Sequence, residues 1–167
     1  MGAIHSTERN ADAQARLFAH VKGLGLHGAP AIMLDGDARF RTDKEPRMLR
    51  LSLEPMPWTT DGYVAADVHA RGARSLLVCD LWWRNAAAEG EAYDAYGPDR
   101  CADDLAHALR GLALSWQDYA DPAVPVAVAG HPIRVLWQPR VERLPPMDGF
   151  ERRQVTAEIR WFARVAA

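Results

Sequence analysis

The sequence predicts an α+β fold in which a mostly antiparallel sheet carries two main helices on one face, with long loops between strands. Helix-like and strand-like periodicities follow one another in the order helix, strands, helix, strands. This order favours helices segregated to one face of an antiparallel sheet. The strand segments alternate apolar with mixed side chains, so one face of the sheet is far more apolar than the other. The length of 167 residues indicates one domain over residues 1–167, with residues 1–5 expected to be flexible.

The first helix is predicted from Ser6 or Thr7 to about Leu24. Ser6 is a suitable N-cap. Apolar side chains at spacings of four and three form one helical face: Ala13, Leu17, Val21 and Leu24. A short strand is predicted around "PAIMLD" and a second over "PRMLRLSLE". Three leucines share one face of the second strand: Leu49, Leu51 and Leu53.

Two loops flank the next predicted strand, which spans about residues 73–84. Prolines and glycines predict a loop over residues 55–72, and long loops inside compact domains are often functional. A second loop, residues 85–97, leads to a helix from about Pro98, a residue suited to a first helical turn. Its apolar stripe consists of Ala102, Leu105, Leu109 and Leu112.

Three more strands are predicted after the second helix. They are "VPVAVAG", "HPIRVLWQP" and the long "RRQVTAEIRWFARV". If the last strand lies at a sheet edge, its free backbone groups invite pairing with a neighbouring subunit.

The adjacent tryptophans Trp82 and Trp83 must point to opposite faces of their strand. Trp83 belongs to the apolar face, which we expect to pack against the helices together with Trp137 and Trp161. Trp82 belongs to a mixed face, which carries many arginines and five further apolar residues: Met48, Leu76, Val78, Leu136 and Phe162. Aromatic and arginine side chains on one surface are typical of an interface. We therefore expect either a long loop or a neighbouring subunit to cover Trp82.

The distribution of charge argues for protein partners. The net charge of −2 disfavours a general nucleic-acid or anionic-membrane binder. No stretch has the apolar length of a signal peptide or membrane span. Residues 85–104 carry six acidic residues and one arginine, whereas residues 134–164 carry seven arginines and four acidic residues. The sequence predicts neither a membrane contact nor a specific nucleic-acid partner.

The sequence contains no recognisable catalytic or cofactor motif. Asp103 and His107, four residues apart on a predicted helix, are too few ligands for a metal site. Walker A, G-x-G-x-x-G and G-x-S-x-G motifs are absent. Cys79 and Cys101 fit buried thiols. We expect no enzyme and no cofactor; a small intracellular enzyme or ligand-binding domain is the alternative from a different class.

The order of segments along residues 6–165 resembles a known family. After the first helix come "PRMLRLSLEP", "ARSLLVCDLWWRNAA", "ADDLAHALRG", "IRVLWQPRVERLPPMDGF" and "RRQVTAEIRWFARV". This arrangement, with "PPMDGF" directly before the last strand, is similar to the tail terminator (tail completion) proteins of lambda-like long-tailed bacteriophages and related gene-transfer particles.

The resemblance implies a structural protein without a cofactor. Such subunits form a homo-oligomeric ring, typically hexameric, that caps the tail tube protein, ends its polymerisation and offers a surface to the head-completion or connector protein. The implied location is the head-proximal end of the virion tail, after assembly in the host bacterial cytoplasm. A head–tail joining protein or a minor tail protein is the nearest alternative.

Ten residues are candidates for the subunit or tail-tube interface. They are Met48, Trp58, Tyr63, Trp82, Arg84, Glu89, Glu91, Arg152, Arg153 and Phe162. Contacts within a ring join two different patches of each subunit. We expect the acidic segment of residues 85–104 to meet the basic segment of residues 134–164 of the next subunit.

Overall fold

The computed structural model describes residues 10–36, 45–56, 70–84, 93–114 and 133–164. Side chains are described for all of these except residues 10–12, 55, 70–73, 113, 114 and 161–164. The described residues form two helices and seven strands, which are α1 (Asn10–Lys22), β1 (Ala31–Leu34), β2 (Arg47–Pro55), β3 (Ala70–Trp83), α2 (Gly97–Leu109), β4 (Ala113–Leu114), β5 (Ile133–Val135), β6 (Arg140–Met147) and β7 (Phe150–Arg164). The predicted α+β class is confirmed.

The described strands belong to a single mixed sheet. Their order is β1-β2-β3-β7-β5-β4, and β6 lies beside β7. β1 runs parallel to β2, whereas the other pairs are antiparallel. The predicted predominance of antiparallel pairing therefore agrees with the sheet.

The longest strand pairing joins β3 to β7. It runs from Ala70 opposite Arg164 to Trp83 opposite Glu151. On its other side β7 pairs with β5 and β6. The edge position considered for this strand from the sequence is thus wrong, because β7 has neighbours on both sides.

One buried cluster joins the apolar face of the sheet to side chains of both helices. Ala13, Leu17 and Val21 of α1 are fully buried, which confirms the helical face predicted from their spacing. The α2 contribution comes from Cys101, Ala102, Leu105 and Leu109. Sheet residues in the same cluster include Leu51, Leu81, Trp83, Val155 and Ile159. Trp83, at 1% exposure, is the core tryptophan that the strand alternation predicts.

The prediction for residues 131–139 is wrong in part. Within the described residues β5 ends at Val135, and Trp137 is 67% exposed instead of lying in the core. Val135 lies opposite Ile159, and Arg140 lies opposite Thr156. The chain therefore advances five residues from Val135 to Arg140 while β7 advances only three residues over the same distance. The two extra residues must leave the strand, which explains how Trp137 reaches the surface. The strand β6 that follows was not predicted.

Several predicted features lie outside the described residues. They are the Ser6 cap, the flexible residues 1–5, the strand "VPVAVAG" and most of the two long loops. The described part of the predicted first helix begins at Asn10, and α2 begins at Gly97, one residue before the predicted position.

Candidate functional site

Trp82 lies on the helix-free face, meaning the face of the sheet opposite the helices. It is 7% exposed and forms a second buried cluster with Met33, Met48 and Phe150. The Phe150 ring meets the Trp82 ring edge-on, with centroids 5.8 Å apart and planes at 73°. Because Phe150 of the same chain packs on Trp82, neither a long loop nor a neighbouring subunit is needed to bury this indole.

Two arginines complete the cover of this second cluster. The guanidinium of Arg152 lies 4.3 Å from the Trp82 ring centroid, and that of Arg84 lies 4.3 Å from the Phe150 centroid. Arg84 also donates from Nη2 to the carbonyl of Asp148 at 3.4 Å. Cation–π contacts of this kind stabilise a partly exposed site by roughly 0.5–1 kcal/mol each. Arg84 and Arg152 therefore attach the β6–β7 hairpin to the end of β3.

Arg153 is buried on the opposite face, where it meets α2. It is 3% exposed. Its Nε donates to Asp99 Oδ1 at 2.7 Å, and its Nη2 donates to Glu151 Oε2 at 3.3 Å. Arg143 lies 3.7 Å from the other Asp99 oxygen. The acidic and basic segments thus meet within one chain at Asp99, whereas their expected contact between subunits stays a prediction.

Replacing Asp99 by asparagine is expected to reduce the loss of stability in acid. The hydrogen bond from Arg153 holds the pKa of Asp99 below its usual range, although burial opposes the shift. Because this pKa is lower in the folded than in the unfolded chain, the stabilisation is complete above the ordinary value of 3.8 and is lost as the pH falls below it. Urea unfolding at neutral pH and in the acid range measures this, with Asp103→Asn, at an exposed position of α2, as the control. Equal acid sensitivity of the Asp99→Asn variant and the wild type would contradict it.

Several polar side chains lie around the core tryptophan Trp83 at the end of β3. The His27 ring stacks on Trp83, with centroids 6.1 Å apart and planes at 7°. His27 Nε2 lies 2.6 Å from Asp94 Oδ2, and the His27 backbone N–H donates to Asp104 Oδ2 at 2.9 Å. The hydrogen bond with His27 lowers the pKa of Asp94. Asp94 and Asp104 thus hold the turn after α1 against the start of α2.

Glycines allow backbone to approach the two sides of the Trp83 ring. A Cβ at Gly28 or at Gly97 would overlap Trp83 ring carbons. Gly28 also has a φ of 75°, which favours glycine. The guanidinium of Arg47 lies 4.5 Å from the ring centroid. Gly28, at the end of the segment "GLGLHG", thus helps to pack Trp83, although no local signal in the sequence identifies this contact.

The two cysteines are buried in the core. Burial raises the pKa of Cys101 to about 12, and burial also raises the pKa of Cys79. Both thiols are protonated at neutral pH and are poor nucleophiles. In the described ranges, no three His, Cys, Asp or Glu side chains are grouped closely enough for a metal ion. Neither described helix has the length and apolarity required to cross a membrane.

Exposed apolar side chains concentrate on one side of the molecule. Among the described residues the large exposed ones are Met56, Tyr93, Tyr96, Trp137, Val141 and Met147. All but Met56 lie just before α2, in the bend before β6, or in β6. We call this region, together with the exposed Arg140 and Arg143, the α2–β6 surface.

Two shallow hollows show that α2 and β6 lie side by side. A hollow of about 270 Å³ is lined by Ala95, Arg143, Leu144, Pro146, Glu151 and Arg153. Another of about 160 Å³ is lined by Ala106, His107, Arg110, Gln138 and Pro139. The residues before α2 thus lie near the end of β6, and the last turns of α2 lie near the bend after Trp137.

The ten candidate interface residues have different positions. Met48 at 0% and Arg153 at 3% exposure present almost no side chain to a partner, so their assignment to an interface is corrected to an internal packing role. Trp82 is buried in the same way, and Arg84 and Arg152 are half-buried over it and Phe150. The remaining five lie outside the described residues or, for Phe162, the described side chains: Trp58, Tyr63, Glu89, Glu91 and Phe162. The structure adds the α2–β6 surface, which the sequence reasoning did not identify.

Comparisons with protein families and with curated proteins identified no relative. No protein-family model matches this chain, and a search of curated proteins found no match either. The function is therefore inferred from the arrangement of segments and from the α2–β6 surface.

Proposed function

We propose that the chain is a structural subunit that caps a phage tail tube as a ring, ends tube polymerisation and provides the surface for head attachment. The order of segments along residues 6–165 supports this role through its resemblance to tail terminator proteins. The structural observation that carries it is the exposed α2–β6 surface, because a subunit of a ring must present side chains to its neighbours.

The composition of the α2–β6 surface fits protein contact. Tyr93 is 69% exposed, and Tyr96 and Trp137 are each 67% exposed. Tyr, Trp, Met and Arg are enriched in interfaces, whereas Lys is depleted. An aromatic side chain can bury roughly 150–250 Å² of surface. Three exposed aromatics beside Val141 and Met147 thus provide a substantial area that a partner would remove from water.

The polar groups beside these aromatics favour a specific contact over unspecific adhesion. Arg140 and Arg143 retain 76% and 72% side-chain exposure although they pair with Glu142 and Asp99. Guanidinium groups at a contact form directed hydrogen bonds with carboxylates. A subunit, the tube protein or the head-completion protein could each occupy part of this surface in the proposed particle.

Removing the exposed aromatics is expected to impair assembly without unfolding the subunit. A Tyr96→Ala/Trp137→Ala variant should keep its free energy of unfolding within about 0.5 kcal/mol per substitution, because both side chains are on the surface. Light scattering and negative-stain imaging measure assembly, and urea unfolding measures stability. Met56→Ala is the matched control, since Met56 is exposed at 36% but lies outside the α2–β6 surface. A double variant that assembles like the wild type would overturn the role of this surface.

Deletion of the gene from its particle tests the proposed activity itself. Tails of uncontrolled length are expected if the chain ends tube polymerisation. Tails of normal length that lack heads would instead indicate a head–tail joining protein and overturn the tail terminator proposal.

A further inference from the structure

The described sheet has three terminal strands, which are β1, β4 and β6. β1 is the last strand at one end and pairs only with β2. On the far side of β7, β4 lies outside β5, and β6 has β7 as its one neighbour among the described strands. Terminal strands expose backbone N–H and C=O groups that can pair with another chain, and proteins usually protect them.

Among its described residues, β1 carries none of the charged or proline side chains that often protect an edge strand. Its four residues are Ala31, Ile32, Met33 and Leu34, with no charged residue and no proline among them. Ala31, Ile32 and Leu34 are only half-buried. Asp35, directly after the strand, keeps 60% side-chain exposure with Arg50 at 3.8 Å. This apolar edge, followed by the exposed carboxylate of Asp35, can pair with a strand of another chain that carries an apolar residue next to a cationic one.

The β6 edge supplies both of these. Arg140 is at the start of the strand with 76% side-chain exposure, and Val141 next to it is 39% exposed. Pro145 and Pro146 have no N–H and limit regular pairing to the five residues from Arg140 to Leu144. This length matches the five residues from Ala31 to Asp35.

Strand directions allow the two edges to meet in a ring. β1 is parallel to β2, and the steps from β2 to β3, from β3 to β7 and from β7 to β6 are each antiparallel. β1 and β6 therefore run in opposite directions. Rotating a copy about an axis along the strands preserves these directions, so β6 would join β1 of the next copy antiparallel, with the helices of both copies on the same side.

We propose that β6 of one copy pairs with β1 of a second copy of this chain, so that the sheet continues from subunit to subunit. This inference rests on the proposed ring. In the register that fits best, Asp35 lies opposite Arg140 and Leu34 lies opposite Val141. Asp35 and Arg140 both belong to the helix-free face, whereas Leu34 and Val141 both belong to the helix-bearing face. These two pairs therefore match in face and in chemistry.

The alternative, a two-fold contact between two β1 strands, fits less well. An antiparallel β1–β1 contact centred on Met33 places Asp35 opposite Ala31, so the exposed carboxylate gains no cation. It also leaves β6 uncovered. The contact between β1 and β6 joins two different patches, which is the kind of interface that closes into a ring.

Disulfide trapping tests the predicted neighbours. Asp35→Cys and Arg140→Cys variants, one of them carrying a mass tag, are mixed and mildly oxidised at high protein concentration. The expected product is a mixed dimer containing one copy of each variant. The native thiols, Cys79 and Cys101, are buried and give little background. Arg110→Cys, at an exposed position directly after α2, replaces Arg140→Cys in the control mixture and should not give the mixed dimer.

Exchange of charges provides a second readout. Asp35→Arg and Arg140→Asp should each raise the concentration needed for half-assembly by up to about fivefold, the range of an exposed ion pair. The double variant, Asp35→Arg/Arg140→Asp, should recover much of this loss. Reversal of both charges restores the pair only if the two residues face each other across copies.

The outcomes separate this inference from the proposed function. A wild-type ring without the mixed dimer and without recovery in the double variant overturns the β1–β6 contact and leaves the ring proposal standing. A mixed dimer formed efficiently between Ala31→Cys and Asp35→Cys variants indicates the two-fold contact, which places these two positions opposite each other, and overturns the inference. If the wild type does not assemble and the two cysteine variants form no mixed dimer at high concentration, the inference and the ring are both overturned.

Discussion

Replacing Trp83 by alanine is expected to lower the free energy of unfolding by about 3–5 kcal/mol. The indole is 1% exposed and is among the largest fully buried side chains of the described core. Backbone at Gly28 and Gly97 borders the ring. Backbone cannot move into the cavity as easily as a flexible side chain can, so the surroundings relax little and the cost should lie well above that of an average substitution.

The same substitution on the surface gives a matched control. Trp137→Ala removes an equal number of atoms from a side chain that is 67% exposed. Its effect on stability should stay within about 0.5 kcal/mol. Urea unfolding of both variants measures the contrast, and Trp83→Phe should retain part of the stability because it leaves a smaller cavity. Equal losses in the Trp83→Ala and Trp137→Ala variants would mean that the described packing of Trp83 is wrong.

Replacing Trp82 by alanine is also expected to destabilise the fold, by about 3 kcal/mol. The side chain is 7% exposed and packs in the cluster with Met48 and Phe150. Its loss removes the edge-to-face contact with Phe150, worth roughly 0.5–1.5 kcal/mol beyond area burial. From the sequence alone we expect a long loop or a neighbouring subunit to cover Trp82, whereas the structure predicts a large effect of this substitution on folding itself.

A second substitution distinguishes the contribution of the Trp82 indole to stability from that of the Arg152 guanidinium above it. Arg152→Met keeps an unbranched side chain over Trp82 but removes the charge, so the expected cost is only about 0.5–1 kcal/mol. Thermal or urea unfolding of both variants provides the comparison. If Trp82→Ala left stability unchanged and abolished assembly, Trp82 would be an interface residue after all.

The fold was largely predictable from local periodicity. Alternation identified Leu51, Leu81 and Trp83 as core residues, and spacings of three and four identified the buried face of α1. These patterns reflect contacts with the core that each element makes along its own length. The position of β7 inside the sheet was not predictable in this way, because it depends on pairing with residues far away in sequence.

Strand β6 and the candidate surface were harder to predict for physical reasons. The "RVERLPPM" segment is mostly exposed and contains two prolines, so it lacks both the alternation and the composition of a typical strand. In the sequence, Trp137 continues the alternation of β5. In the structure, two extra residues between Val135 and Arg140, relative to β7, place Trp137 outside the strand. Burial of Trp82 by Phe150 depends on a hairpin register that the sequence does not display.

The pairing of β3 with β7 also has a consequence for the timing of folding during synthesis. Nearly 70 residues lie between Trp83 and Glu151, so the ribosome must synthesise all of them before β7 can begin to pair with β3. At typical ribosome speeds of roughly 5–20 residues per second, this delay lasts several seconds. During this delay the β3 segment "LLVCDLWW" can pair only with β2, and its other edge remains exposed. Slower growth at lower temperature lengthens the wait, and chaperones that bind extended apolar segments are expected to raise the yield of soluble protein.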